Sequence, residues 1–246
     1  MSRALSMSFA IICYAIFFAT FLYLVGFVGD LSMLPRTVDS PQSFMTTGTA
    51  IVIDLMLIAL FGVQHSVMAR QGFKRAWTRA VPKVIERSVF VLFASIALIV
   101  MFSFWQPIDT VIWDVTAPAG AMLLWVLFWV GWGTVLLSTF LINHFELFGL
   151  QQAWLNMQGR ECAPPRFRTP FLYRFVRHPL YLGFFLAFWS APQMTAGHLL
   201  LAVGMSVYML IAIQYEERDL IAFHGRDYEE YRGRVGMLMP RLRSRG

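Results

Sequence analysis

Arg177-His178-Pro179-Leu180-Tyr181-Leu182-Gly183 places a cation, an imidazole and a phenol where a basic loop runs into an apolar segment. At the far end of the apolar stretch that follows stand the adjacent acids Glu216 and Glu217, then His224-Gly225, Tyr228 and Tyr231. If the stretch folds back as a hairpin, the two clusters meet at one membrane surface. Paired carboxylates suit ribose hydroxyls or an amine, so together they could hold a cofactor at the bilayer edge. Proline is tolerated in the first turn of a helix, where its missing N–H is no loss, and this sets His178 at a helix N-terminus. Gly183 lets another chain or a ligand approach the helix closely. The same residues also suit an ordinary capped helix start with an interfacial Tyr and Arg. Glu216 and Glu217 equally suit a solvated helix end, where acids oppose the macrodipole by ~0.3–1 kcal/mol each.

Other ionisable residues are candidates too. Asp54 and His65 lie eleven apart in an apolar run, on one face of a helix, and an ionisable group in a span faces the bundle interior by default. Asp54 is deeper than a surface site, which favours a structural polar contact. His65, beside Gln64 and Ser66, is nearer the basic end. Asn143, His144 and Glu146 follow another apolar run and are candidate acid/base groups, or else hydrogen-bonded residues of an interfacial loop. His198 falls at the opposite end of the hairpin and carries no evident chemistry. The five histidines and two cysteines have no metal-ligand spacing. No Gly-rich phosphate loop, serine nucleophile elbow or HExxH occurs, which removes most hydrolase and nucleotidyl-transfer readings.

The elements that must position these groups are membrane helices. Charged residues make up 14% of the chain and apolar ones 58%, with a mean hydropathy of +0.60; soluble domains carry about 25% charged residues. Apolar runs near 7–28, 48–69, 86–105 and 118–142 approach the ~20 residues a spanning helix needs. The first exceeds the ~7–15 residues of a signal-peptide core and reads as a retained helix. The stretch 179–215 is too long for one span and is broken near Ala191-Pro192 and Gly197, so it reads as a hairpin, 179–192 and 196–215. The expected fold is an all-α integral membrane protein of about six membrane helices, the fifth short, forming one domain over 1–246. The segment 144–158 is too polar to span and suits an interfacial or tucked helix. Ala163-Pro164-Pro165-Arg166 breaks regularity after it.

Loop charges support this count. Of the 20 Lys and Arg residues, only Arg36 falls outside the N-terminus, the loops near 70–87 and 143–178, and the tail. By the positive-inside rule both termini are cytoplasmic. The net charge of +6 is explained by orientation and lipid headgroups rather than nucleic acid.

RHPLYLG followed by EERDLIAFHGRDYEEY resembles the C-terminal signature of the isoprenylcysteine carboxyl methyltransferase superfamily, with His224 where that pattern usually has Phe. Gln64-His65-Ser66-Val67-Met68-Ala69-Arg70, Glu86-Arg87-Ser88, the NHFELFGL run from Asn143 to Leu150, and Phe167-Arg168-Thr169-Pro170 are similar to the membrane-bound methanethiol S-methyltransferases, a branch neighbouring the NnrU-like membrane proteins linked to denitrification. The resemblance implies S-adenosylmethionine bound at the cytoplasmic face by about 143–246, and a small thiol converted to dimethyl sulfide with release of S-adenosylhomocysteine. It implies that Arg177, His178, Tyr181, Gly183, Glu216, Glu217, Tyr228 and Tyr231 form the cofactor site. Within it, Arg177 pairs with the cofactor's carboxylate, Glu216 and Glu217 hold its amine or ribose hydroxyls, and the tyrosines face its sulfonium. Because the thiolate is the nucleophile, a base is expected: His144 or Glu146 first, His65 second. Other acceptors (hydrogen sulfide, a prenylcysteine carboxylate, a lipid) and a non-enzymatic NnrU-like role remain alternatives. No obligate protein partner is evident, and the absence of an inverted repeat argues against a transporter.

Overall fold

Five helices are long and apolar enough to cross a membrane, so the chain is a helical integral membrane protein. The computed structural model describes residues 2–162 and 167–241. The Ala163-Pro164-Pro165-Arg166 break and the basic tail residues Arg243 and Arg245 lie outside the described residues. In chain order the elements are α1 (Arg3–Val28), α2 (Thr47–Ala69), α3 (Gln71–Trp77), α4 (Lys83–Phe104), β1 (Val111–Asp114), α5 (Pro118–Ile142), α6 (His144–Leu147), α7 (Leu150–Met157), a 3-10 turn at Phe171–Arg174, α8 (Pro179–Trp189), β2 (Gln193–Thr195), α9 (Ala196–His224) and α10 (Arg226–Arg234). Side-chain caps start three of the long helices: Ser2, Thr46 and Thr195 accept from the N–H of Leu5, Thr49 and His198. Proline opens α5 and α8.

Two features depart from the sequence expectation. First, the hairpin is not helix against helix alone. At 11 residues and about 1.5 Å per residue, α8 covers only about 16 Å of a hydrocarbon core about 30 Å thick. The chain continues as β2, paired antiparallel with β1 in the register Val111↔Thr195, Trp113↔Met194 and Asp114↔Gln193. Neighbouring backbone groups are satisfied as well: Val115 N–H donates to the Pro192 carbonyl, Ala196 N–H to Thr110 and Gly197 N–H to Ile108. Such pairing is what a non-helical segment needs where water is scarce.

Second, α9 runs past residue 215 to His224, 29 residues in all, or about 43 Å. Glu216 and Glu217 therefore lie inside the helix, two turns before its end, and the expected opposition to the C-terminal macrodipole does not arise.

At the end bearing β1 and β2, polar groups are consumed structurally. Arg36, the one basic residue there, donates to the Phe102 and Trp105 carbonyls at the end of α4. Asp54 accepts from the Gln106 N–H, the structural contact anticipated for it. His198 Nε2 donates to the Phe188 carbonyl in the last turn of α8. At the opposite end α6 and α7 tuck against α1, with Phe148 stacked on Phe17 at 3.9 Å.

Gly183 needs a correction. It packs against α5 rather than a ligand: a Cβ there would lie 2.7 Å from the Gly131 carbonyl, and one at Gly131 would lie 2.6 Å from the Ala187 nitrogen. A small residue near a motif admits either reading, and the helix contact claims it here. Added methyl groups at this contact should cost about 1–3 kcal/mol. Gly183→Ala and Gly131→Ala are expected to lower the thermal unfolding midpoint in detergent, while Gly133→Ala, with nothing within 4 Å of its Cβ position, leaves it unchanged.

Candidate active site

Glu217 is the centre of the cluster. Its Oε1 accepts from Arg177 Nε at 2.7 Å and lies 3.1 Å from His178 Nε2, while Oε2 is 3.1 Å from Arg232 Nε. The Glu217 and Arg177 side chains are only 5% and 7% exposed, so the carboxylate depends on these donors for its charge. Arg177 also donates to the carbonyls of Arg232 and Val235, and its backbone N–H to Gly236. The His178 N–H donates to Met237. The start of α8 is thereby stitched to α9 and to the chain after α10. Arg177 and Glu217 have spent most of their hydrogen-bonding capacity on each other, on His178 and Arg232, and on the carbonyls of Arg232 and Val235.

Glu216 is different. It is half-buried and accepts from the Tyr181 hydroxyl through Oε2 at 3.0 Å, with no recorded hydrogen bond to its other oxygen among the described residues. Tyr228 is fully buried, and its hydroxyl has no partner among the described residues. Tyr231 donates to the Tyr173 carbonyl at 2.6 Å. Burial pushes the Tyr231 phenol up to about 12 and raises those of Tyr228 and Tyr173 as well. All three therefore offer neutral hydroxyls and uncharged π faces. Phe167 packs on His224, Tyr228 and Tyr231 at 5.2, 5.9 and 5.4 Å between ring centroids. The histidine that departs from the family pattern thus keeps an aromatic ring against Phe167. Gly225 turns the chain between α9 and α10 with φ +56, a left-handed conformation favouring glycine.

The three base candidates are not gathered with this cluster by any hydrogen bond among the described residues. His144 is buried, with Nε2 2.7 Å from the Tyr14 hydroxyl and Nδ1 2.8 Å from Thr139 Oγ1. The Thr139 hydroxyl donates to the Leu136 carbonyl. It therefore accepts from Nδ1–H, which leaves Nε2 to accept from Tyr14. Both nitrogens are engaged, and the ring stacks on Phe140 at 4.2 Å. Glu146 accepts from Asn143 through Oε2 at 2.8 Å. Behind it Gly149 has φ +89 and presses on Ser88, where a Cβ would lie 2.5 Å from Oγ. His65 packs among Phe61, Phe90 and Tyr208, and its Nδ1 is buried without a partner among the described residues. Among the described residues no group of three or more His, Cys, Asp or Glu could hold a metal ion.

Sequence reasoning missed Arg232, Tyr173 and Phe167. Arg232 carries no local signal, because its partner Glu217 lies across a helix break. Phe167 stood within the Phe167–Pro170 run, so its motif was visible although its task was not.

The chain is 53% identical to a methanethiol S-methyltransferase of Mycobacterium tuberculosis over 98% of either chain. It is 52% identical to methanethiol S-methyltransferase 1 of Bradyrhizobium diazoefficiens, covering 96% of this chain and 82% of that one. It is also 31% identical to Nurim of Rattus norvegicus over 68% of this chain and 66% of that one. No protein-family model matches the chain, and no solved structure does.

Two stability experiments follow from the geometry. Glu217→Ala strands the buried Arg177 and should cost about 3–5 kcal/mol, with half-exposed Arg232 adding little. Glu216→Ala should leave the unfolding midpoint nearly unchanged; equal losses for both would contradict the division of labour. Burial also holds the His144 imidazole below its ordinary 6.5. The unfolded chain then takes up that proton first as pH falls, so stability is complete above the unfolded value and declines below it. The thermal midpoint should drop between about pH 7 and about pH 5, and less steeply in His144→Asn.

Proposed function

The chain belongs to the methanethiol S-methyltransferase family, and from that membership we propose that it transfers a methyl group from S-adenosylmethionine to methanethiol, releasing dimethyl sulfide and S-adenosylhomocysteine. The observation that carries this reading is identity near one half along almost the whole of named methanethiol S-methyltransferases. The site geometry suits it. One oxygen of Glu216 and the buried Tyr228 hydroxyl have no partner among the described residues, which leaves them available to a polar ligand.

S-adenosylmethionine, when bound, supplies a methyl group already activated by its cationic sulfur. What remains for the protein is mostly alignment, which can contribute ~7–11 kcal/mol. Glu216 and Tyr181 hold the donor's amine or ribose hydroxyls. Tyr181, Tyr228 and Tyr231 offer π faces to the cation, each worth ~0.5–2 kcal/mol. Glu217, Arg177 and His178 frame these residues. The thiol proton goes to His65, whose buried Nδ1 has no partner among the described residues, or to Glu146 through its second oxygen. His144 supports this region from Tyr14 and Thr139, its nitrogens already engaged.

The charge bias of the loops supports six membrane segments with both termini and the site on the cytoplasmic side of a bacterial inner membrane. Residues 143–246 carry most of the donor site within a single domain.

Detergent-purified protein given labelled S-adenosylmethionine and methanethiol should release labelled dimethyl sulfide into the headspace. Glu216→Ala should weaken S-adenosylhomocysteine binding about ten- to hundredfold. His65→Ala should slow turnover at neutral pH and leave that affinity within about twofold. Donor binding without product would point to another acceptor. Neither binding nor product, from folded protein, would favour a non-enzymatic membrane role.

A further inference from the structure

A small cleft of about 100 Å³ opens between the end of α5 and the segment before α8, lined by Leu141, Ile142, Arg168, Pro170 and Tyr173. Drug-sized ligands occupy pockets of ~300–1,000 Å³, so this cleft suits one arm of a larger molecule rather than the whole of it. Three of these lining residues are apolar, and Arg168 is the one charged residue among the described ones.

The cleft adjoins the cluster described above. The Tyr173 backbone accepts from Tyr231, and the negative charge of Glu216 is one of the influences that raise the Tyr173 phenol. Arg168 is held in place from both sides. Phe167 before it is wedged on His224, Tyr228 and Tyr231, and Pro170 after it starts the 3-10 turn.

Several other cations near the cluster are occupied, and Arg174, exposed and likewise without an ion pair among the described residues, does not line the cleft. Arg177 and Arg232 are on Glu217, and Arg70 pairs with Asp219 and lies over Tyr215. Arg168 has no recorded ion pair or hydrogen bond among the described residues, and it is exposed.

The donor assigned under the proposed function carries an amine and a carboxylate on its methionyl arm. Glu216 attracts the amine and repels the carboxylate. With the amine at Glu216, the carboxylate lies away from that acid and against a cation with donors to spare.

We propose that Arg168, presented by the Phe167–Pro170 run, binds the carboxylate of the methyl donor's methionyl arm in the cleft beside Leu141, Ile142 and Tyr173. This rests on the S-adenosylmethionine reading and replaces Arg177 in the role the family resemblance suggested for it. Arginine suits the task because its planar fork matches a carboxylate.

The test compares two ligands by calorimetry on the full chain in detergent: S-adenosylhomocysteine, and 5′-methylthioadenosine, which lacks the charged arm. Arg168→Ala should weaken S-adenosylhomocysteine about ten- to hundredfold and leave 5′-methylthioadenosine within about twofold. Arg168→Lys should recover part of the loss, and the unfolding midpoint should match the wild type. Equal weakening of both ligands would make Arg168 a loop-ordering residue and overturn the assignment, as would no weakening of either. A wild type that binds neither ligand would instead overturn the donor reading, and this assignment with it.

Discussion

The site end of the molecule depends on one buried carboxylate. A charge taken out of water is tolerated only when paired and hydrogen-bonded, and Glu217 is surrounded by Arg177, His178 and Arg232. Those partners come from the start of α8 and from α10, so satisfying one side chain fixes three segments. Arg177 extends the effect by donating to the chain after α10. With Glu217 engaged in this way, its neighbour Glu216 is left turned toward Tyr181 with capacity to spare. Adjacent acids of one type thus take different tasks, one holding the frame and the other available to a ligand.

The opposite end solves a different problem. The fifth segment is too short to cross as a helix, so its backbone must find partners by another route. Pairing of β2 with β1 supplies them, helped by the 108–115 and 190–197 contacts. Arg36, Asp54 and His198 each satisfy backbone groups there rather than ligands. The close approach of Gly131 and Gly183 then seats α8 on α5. Together these contacts hold the N-terminus of α8, with His178 and Tyr181, at a set position.

Much of this was legible beforehand. The spans followed from hydropathy, and the RHPLYLG and EERDLIAFHGRDYEEY runs marked the two halves of the cluster. Charged residues after 215 end the apolar run without ending the helix, so hydropathy alone stops α9 short of His224. Gly183 was assigned to a ligand because a glycine beside a motif looks the same whether a helix or a small molecule approaches it. The sequence leaves His144 open between a base and a hydrogen-bonded loop residue, since nothing near it announces Tyr14, 130 residues earlier. The short strands of β1 and β2 were invisible for a similar reason, being too brief to show a period and stable only as a pair.

The amino-acid sequence by itself determined the membrane class, the approximate spans, the charge bias between the two ends and the residues eligible for chemistry. Each of these is a sum over neighbouring residues, and hydrophobicity, charge and motif spacing need no partner to be read. Only the tertiary structure decided which eligible groups are already spent. Glu217 is consumed by Arg177, His178 and Arg232, Arg177 by Glu217 and backbone carbonyls, and His144 by Tyr14 and Thr139. Among the described residues, Glu216, Tyr228, His65 and Arg168 retain unfilled capacity. Hydrogen-bond saturation is a property of atoms brought together from distant parts of the chain, and a linear string of residues does not contain it.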